Sequence, residues 1–282
     1  MQSTHLDVTG ADIRTLESRD GTTISYHTVG EGPAVIVIPG AMSVAGDFAA
    51  FASALGETFT VHTIERRGRG LSGPQGDHYG IARECEDVAA VRDETGSQCL
   101  IGHSYGGLIA LEAARNDETL RKIAVYEPGV SVDGLISMRW VSGYERKLAE
   151  HRALDAFVEF CLAVGPERVQ KTPSWVMKLG MRLFMPAERR ETMLRLLPAN
   201  LAEHREVARL DNTYENYREV AAPTLLMAGG RSGLEWVAPA LERLSRVLPA
   251  SELKTFPKLD HFGPDQHGPR EVAQAVKAFF LA

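Results

Sequence analysis

The sequence predicts an α/β protein built on a mostly parallel sheet. Three observations lead there. Short β-branched runs such as Ala34-Val35-Ile36-Val37-Ile38 are apolar on both alternating faces, as a strand covered by helices on each side must be. Amphipathic, helix-like stretches of roughly ten to fifteen residues separate these runs. At Cys99 to Ile101 an apolar run enters Gly102-His103-Ser104-Tyr105-Gly106, and a helix-like run, Leu108 to Ala114, follows. That is strand, sharp turn and helix, with a serine at the apex.

The elements follow in order. Asp12 to Ser18 and Thr22 to Val29 alternate as strands, and Asp20-Gly21 between them is a hairpin turn signal. Ala34 to Ile38 is a buried strand ending at Pro39-Gly40-Ala41-Met42. Gly46 to Leu55 reads as a helix and Phe59 to Ile64 as a second buried strand. Next, Glu65 to Gly73 places Gly68, Gly70 and Gly73 in a G-x-G-x-x-G pattern. A dinucleotide site needs a helix to begin inside that motif, so that its amides meet the pyrophosphate. Here the polar loop Pro74 to Gly80 follows instead, so the segment reads as a tight, basic-flanked loop at a strand end.

Ile81 to Glu94 is then a helix, Gln98 to Gly102 the strand feeding the serine turn, and Lys122 to Glu127 a strand stopped by Pro128-Gly129. From Val130 to about Tyr217 the pattern is helical. Trp140, Tyr144 and Leu148, and again Trp175, Leu179 and Leu183, follow the spacing of helix faces. Met177, Met181 and Met185 make a further four-residue stripe, read as core of this segment or as flexible lining for a bulky apolar ligand. Strand and helix resume with Thr224 to Ala228, Leu234 to Val247, Glu252 to Phe256 and Pro269 to Leu281. The organisation predicted is a core formed by residues 1–129 and 218–282, interrupted by a helical cap over residues 130–217.

Composition narrows the function. The chain has 282 residues, 44% hydrophobic and 24% charged, which suits a globular protein with a large core. A net charge of −6 gives nucleic-acid binding no electrostatic support. Three scattered cysteines, Cys85, Cys99 and Cys161, suggest buried thiols in a reducing compartment. The first residues lack a basic start followed by an apolar run, and no apolar run is long enough to span a bilayer. The expectation is a cytoplasmic enzyme with a small-molecule substrate, no nucleic-acid or membrane partner, and no cofactor or metal. The sequence leaves its oligomeric state open.

Ser104 needs a base, because a serine hydroxyl is a poor nucleophile at neutral pH. His261 follows the last strand, where a loop reaches back over the sheet edge, while His267 lies in a Pro/Gly-rich run opening the last helix. His103 reads as a packing and hydrogen-bonding residue that points away from the nucleophile. The third group, which orients the imidazole and stabilises its cation, stays open. After the strand Thr224 to Ala228 stand Gly229-Gly230-Arg231-Ser232-Gly233, with no acid until Glu235. Glu127, at the end of the strand after the serine turn, is the first choice, with Glu235 and Asp211 as alternatives. Donors for a developing oxyanion are expected from the backbone N–H of Tyr105, at a helix start, and of Ala41, after the strand Ala34 to Ile38.

With these residues in view, the chain resembles the α/β-hydrolase superfamily. More narrowly it resembles a bacterial group with an Arg-Arg-Gly-Arg-Gly-x-Ser loop (Arg66 to Ser72), a Gly-His-Ser elbow (Gly102 to Ser104) and a Val-Tyr-Glu-Pro strand end (Val125 to Pro128). The resemblance implies a mostly parallel, eight-stranded sheet with a cap after strand six. It implies Ser104 as nucleophile, His261 as base, and Tyr105 with Ala41 as oxyanion donors. Members whose acid follows strand six support Glu127. Two departures stand out: Pro39-Gly40 replaces the usual His-Gly, and the usual Asp after strand seven is missing. The function expected is a cofactor-free serine hydrolase acting on an ester, thioester or lactone of a small to medium, largely apolar substrate. The alternatives are a non-hydrolytic cyclase, lyase or C–C-cleaving enzyme using His261 as acid/base, and a non-catalytic ligand-binding protein.

Overall fold

A computed structural model of the chain describes residues 5–6, 10–115 and 117–282. Eight strands form one sheet: β1 (Asp12–Glu17), β2 (Thr23–Val29), β3 (Ala34–Ile38), β4 (Thr60–Glu65), β5 (Cys99–His103), β6 (Lys122–Tyr126), β7 (Thr224–Gly229) and β8 (Ser251–Phe256). A two-residue edge pair, His5–Leu6, adds to β1. The spatial order is β1-β2-β4-β3-β5-β6-β7-β8. The pairs β1/β2 and β2/β4 are antiparallel and the rest parallel.

The period-2 pattern of the strands explains why both faces are covered. In β3, Ile36 and Ile38 point into one apolar cluster and Val35 and Val37 into the other. In β6, Ile123 and Val125 separate from Ala124 and Tyr126 in the same way. Helices α1 (Ala49–Gly56) and α11 (Pro269–Leu281) cover one face; α2 (Ile81–Thr95), α3 (Tyr105–Ala114) and α10 (Val237–Val247) cover the other. The helix expected from Gly46 starts with a short 3-10 turn, Ala45–Phe48, before α1.

Between β6 and β7 the chain forms α4 (Val141–Ala149), α5 (Ala153–Val164), α6 (Glu167–Gln170), α7 (Ser174–Phe184), α8 (Ala187–Arg195) and α9 (Leu197–Arg209). Trp140, Tyr144, Ala156, Leu197 and Leu201 give this segment its own apolar cluster. The second expected helix face behaves differently. Trp175, Leu179, Leu183 and Phe184 are solvent-exposed on α7, and Met177, Met181 and Met185 are only half-buried. Helical spacing identifies a shared face but not what covers it, and α7 packs mainly on α5. The three cysteines are free, as expected of thiols outside a disulfide framework, but only partly buried rather than buried. No helix among the described residues is long and apolar enough to cross a membrane.

Parallel pairing sets the location of the site. Ile38 pairs with Gly102, His103 with Tyr126, Tyr126 with Met227, and Gly229 with Phe256. The residues just beyond β3, β5, β6, β7 and β8 therefore meet at one carboxyl edge, where open α/β sheets place their ligands.

Candidate active site

Ser104 stands between β5 and α3 with φ 53° and ψ −120°. A positive φ at a non-glycine residue costs on the order of 1 kcal/mol or more and persists only where its surroundings enforce it. Here the enforcing contact is close packing. A Cβ on Gly106 would lie 2.0 Å from the Ile38 carbonyl oxygen, and one on Gly102 would lie 2.3 Å from that of Gly106. Only hydrogen at these two positions lets the turn close. The Ser104 amide continues the ladder to the Tyr126 carbonyl at 3.0 Å, and the Ser104 carbonyl accepts from the amides of Gly107 and Gly129.

Glu127 occupies the equivalent place at the end of β6. It is fully buried, its φ is also positive at 43°, and its amide bonds the Met227 carbonyl at 2.8 Å. Three donors converge on its carboxylate. The Gly229 amide reaches Oε1 at 2.9 Å, while the Ser232 hydroxyl and the His261 ring reach Oε2 at 2.8 and 2.7 Å. A carboxylate only accepts, so His261 Nδ1 carries a proton, and in the neutral ring the lone pair is left on Nε2. The contact therefore selects the tautomer a base needs. Glu235, by contrast, is solvent-exposed, and Asp211 accepts from the Ser131 hydroxyl and the Gly134 amide. His267 pairs with Asp260 at 2.7 Å, away from Glu127.

His103 joins the histidine loop to the serine turn. Its Nε2–H donates to the His261 carbonyl at 2.8 Å, and the two rings lie 4.9 Å apart. Burial first, and then the nearby His261, push the His103 pKa down to about 3, so its ring is neutral. Trp236 and Phe262 pack edge-on against the His261 ring at 6.0 and 5.6 Å. Ser104, in the turn, and the Glu127–His261 pair thus share one edge of the sheet.

Ala41 lies in the loop after β3, and Tyr105 opens α3. The loop is close to Ser104: a Cβ on Gly40 would be 3.1 Å from Ser104 Cβ. Behind it sits a buried charge network that the sequence reading saw only as basic flanks of a loop. Arg66 forks onto Glu84 at 2.8 and 3.2 Å, ion-pairs with Glu203 at 2.9 Å, and donates to the Gly40 carbonyl at 3.0 Å. Arg69 bonds Glu203 at 2.6 Å and the Ser43 carbonyl at 2.9 Å. Arg67 is held separately by Asp87 and Asp20. Burial disfavours the Arg66 cation, but Glu203 and Glu84 outweigh it and its pKa rises further. The clue in the sequence is a set of arginines directly after a buried strand, where charges persist only when paired. Nothing local marks Glu203 or Ser232 as partners. Among the described residues no group of three or more His, Cys, Asp or Glu side chains converges as metal ligands would.

Comparison with known proteins agrees with this architecture. N-formylmaleamate deformylase from Pseudomonas putida is 27% identical over 209 residues, 63% of this chain and 78% of that protein. 2-(Acetamidomethylene)succinate hydrolase from Mesorhizobium japonicum is 23% identical over 268 residues, 92% of each. The crystal structure of an alpha/beta hydrolase from Sphaerobacter thermophilus superposes with a TM-score of 0.79 at 28% identity, covering 94% of this chain and 99% of that one. The model of the alpha/beta hydrolase family matches residues 35–275, the greater part of the chain, and this protein belongs to that family.

Proposed function

We propose that the protein is a cofactor-free serine hydrolase. Ser104 Oγ attacks a substrate carbonyl carbon as His261 Nε2 takes its proton. The tetrahedral oxyanion is held by the N–H groups of Ala41 and Tyr105. Collapse expels the leaving group, which receives the proton from His261. Water, deprotonated by the same nitrogen, then releases the acid and restores the serine. Glu127 holds the ring and stabilises the imidazolium formed in each half-reaction. The single observation that carries this reading is the 2.7 Å contact between His261 Nδ1 and a fully buried Glu127, on the sheet edge that also bears the strained Ser104.

The substrate class we infer is an ester, thioester or lactone of a small to medium, largely apolar acid. The printed names of the two relatives describe hydrolysis of an N-formyl and an N-acetyl compound. Acyl–nitrogen bonds therefore belong in the first substrate panel. Residues 130–217 are read as a cap over the site, and the protein as cytoplasmic.

The test is covalent labelling with a fluorophosphonate, followed by turnover on a panel of 4-nitrophenyl acyl esters and N-formyl and N-acetyl enamides. Labelling at Ser104, lost in Ser104→Ala, is the expected result. A folded wild-type protein that takes no label refutes the proposal. Hydrolysis that survives Ser104→Ala but not His261→Ala would instead select direct attack by a water that His261 activates, with no acyl-enzyme.

A further inference from the structure

We propose that Arg66 is a positioning residue that aims and polarises the oxyanion donors, and that Glu203 on α9 locks it in place. This rests on the serine-hydrolase reading above. The Gly40 carbonyl and the Ala41 N–H belong to the same planar unit, and no peptide bond among the described residues is cis. In a trans peptide the C=O and N–H point in opposite directions. Arg66 Nη1 donates to the Gly40 oxygen at 3.0 Å from one side, with the Pro39 oxygen at 3.5 Å. Fixing that oxygen fixes the direction of the Ala41 N–H on the other side. A cation on the oxygen also draws charge through the amide and strengthens its N–H as a donor.

The same guanidinium touches the second donor's residue. Its carbon lies 4.7 Å from the centroid of the Tyr105 ring. The Tyr105 hydroxyl bonds that of Tyr79 at 3.0 Å, and Tyr79 donates to Glu84 at 2.8 Å, the carboxylate that grips Arg66. One side chain therefore braces both oxyanion donors.

Arg66 cannot swing away easily. It is 1% exposed, and its planar fork is occupied by Glu84 from α2 and Glu203 from α9. Glu203 is fully buried and holds Arg69 with the same oxygen, Oε1, while Arg69 fixes the Ser43 carbonyl at the far end of the loop. The helical segment between β6 and β7 thus supplies the anion that seats both arginines against the loop. Docking of α9 and alignment of the Ala41 N–H become a single event.

The experiment compares a 4-nitrophenyl ester with its thiono (C=S) counterpart, whose sulfur accepts hydrogen bonds poorly. Arg66→Lys keeps the charge but loses the fork. Its kcat on the oxygen ester is expected to fall about 10- to 100-fold, with KM and thiono-ester turnover changing less than about threefold. Glu203→Gln keeps the Arg66–Glu84 fork but removes the charge that seats Arg66 and Arg69 against the loop, so the Arg66–Gly40 contact loosens and the same signature is expected at about a fivefold loss. A thermal melt establishes that each variant is folded. An oxygen-to-sulfur rate ratio unchanged in the folded variants, whether both rates fall equally or neither falls, overturns the proposal. If Arg66→Lys does not fold, Glu203→Gln alone decides by that ratio. Failure of the underlying reading is distinct, because it appears in the wild type as the absence of fluorophosphonate labelling.

Discussion

Replacing Glu127 by glutamine changes one oxygen to an NH2 group and leaves size and shape alone. Its consequences follow from the three donors around the carboxylate. With the amide oxygen at the Oε2 place, the new NH2 faces the Gly229 amide, and two buried donors oppose each other at a cost of about 1–3 kcal/mol. With the oxygen at the Oε1 place, the NH2 faces His261 Nδ1 and the Ser232 hydroxyl. The imidazole then moves its proton to Nε2 and can no longer accept one from Ser104. Either way the negative charge is lost. A unit charge about 4 Å from the imidazolium centre is worth about 4 kcal/mol at an effective dielectric of about 20. That is a fall in kcat of roughly 10³-fold, and adding the tautomer penalty brings it toward 10⁴. The assay is steady-state hydrolysis of a 4-nitrophenyl ester by Glu127→Gln, with Ser232→Ala beside it. Ser232→Ala removes one neutral hydrogen bond but keeps the charge, and about a tenfold loss is expected. A folded Glu127→Gln within tenfold of wild type, or equal damage from Glu235→Gln, would refute the role given to the Glu127 charge.

Two further outcomes follow from the same geometry. His103 has a folded-state pKa of about 3, below its unfolded value of about 6.5. The unfolded chain therefore binds more protons between these values, and stability is lost as pH falls from 6.5 toward 3. By pH 4.5 this residue's share is about 2–3 kcal/mol. Unfolding free energies from urea titrations at pH 7.5 and 4.5 should differ by that much less in His103→Gln, and an equal drop in both proteins would show that His103 does not titrate in this way. Gly106→Ala places a Cβ 2.0 Å from the Ile38 oxygen, so the serine turn cannot close without moving β3. A loss of more than about 3 kcal/mol, or failure to fold, is expected; a melting temperature within a few degrees of wild type would contradict the packing account.

Much of this protein was legible in its sequence because the determining forces are local. Alternation in β3 and β6 follows from the period of a strand, and two-sided burial makes both registers apolar. The serine turn is announced by glycines whose missing Cβ atoms the backbone requires. Exposure of α7 was not legible, because spacing reports a face and not what lies against it. The third group of the site was left open for a similar reason. His261 and Glu127 are 134 residues apart, and only the shared sheet edge makes one carboxylate rather than another the imidazole's partner.

What the chain alone determined, then, is the order of strands and helices, the strained serine and the late histidine. These depend on sterics and on hydrophobic period within a few residues. Only the tertiary structure decided that Glu127 faces His261, that Ser232 and Gly229 hold that carboxylate, and that Arg69 meets Glu203 across 134 residues. A charged side chain has no preferred partner until folding removes water and leaves one counter-charge within reach, so such pairings exist only in three dimensions.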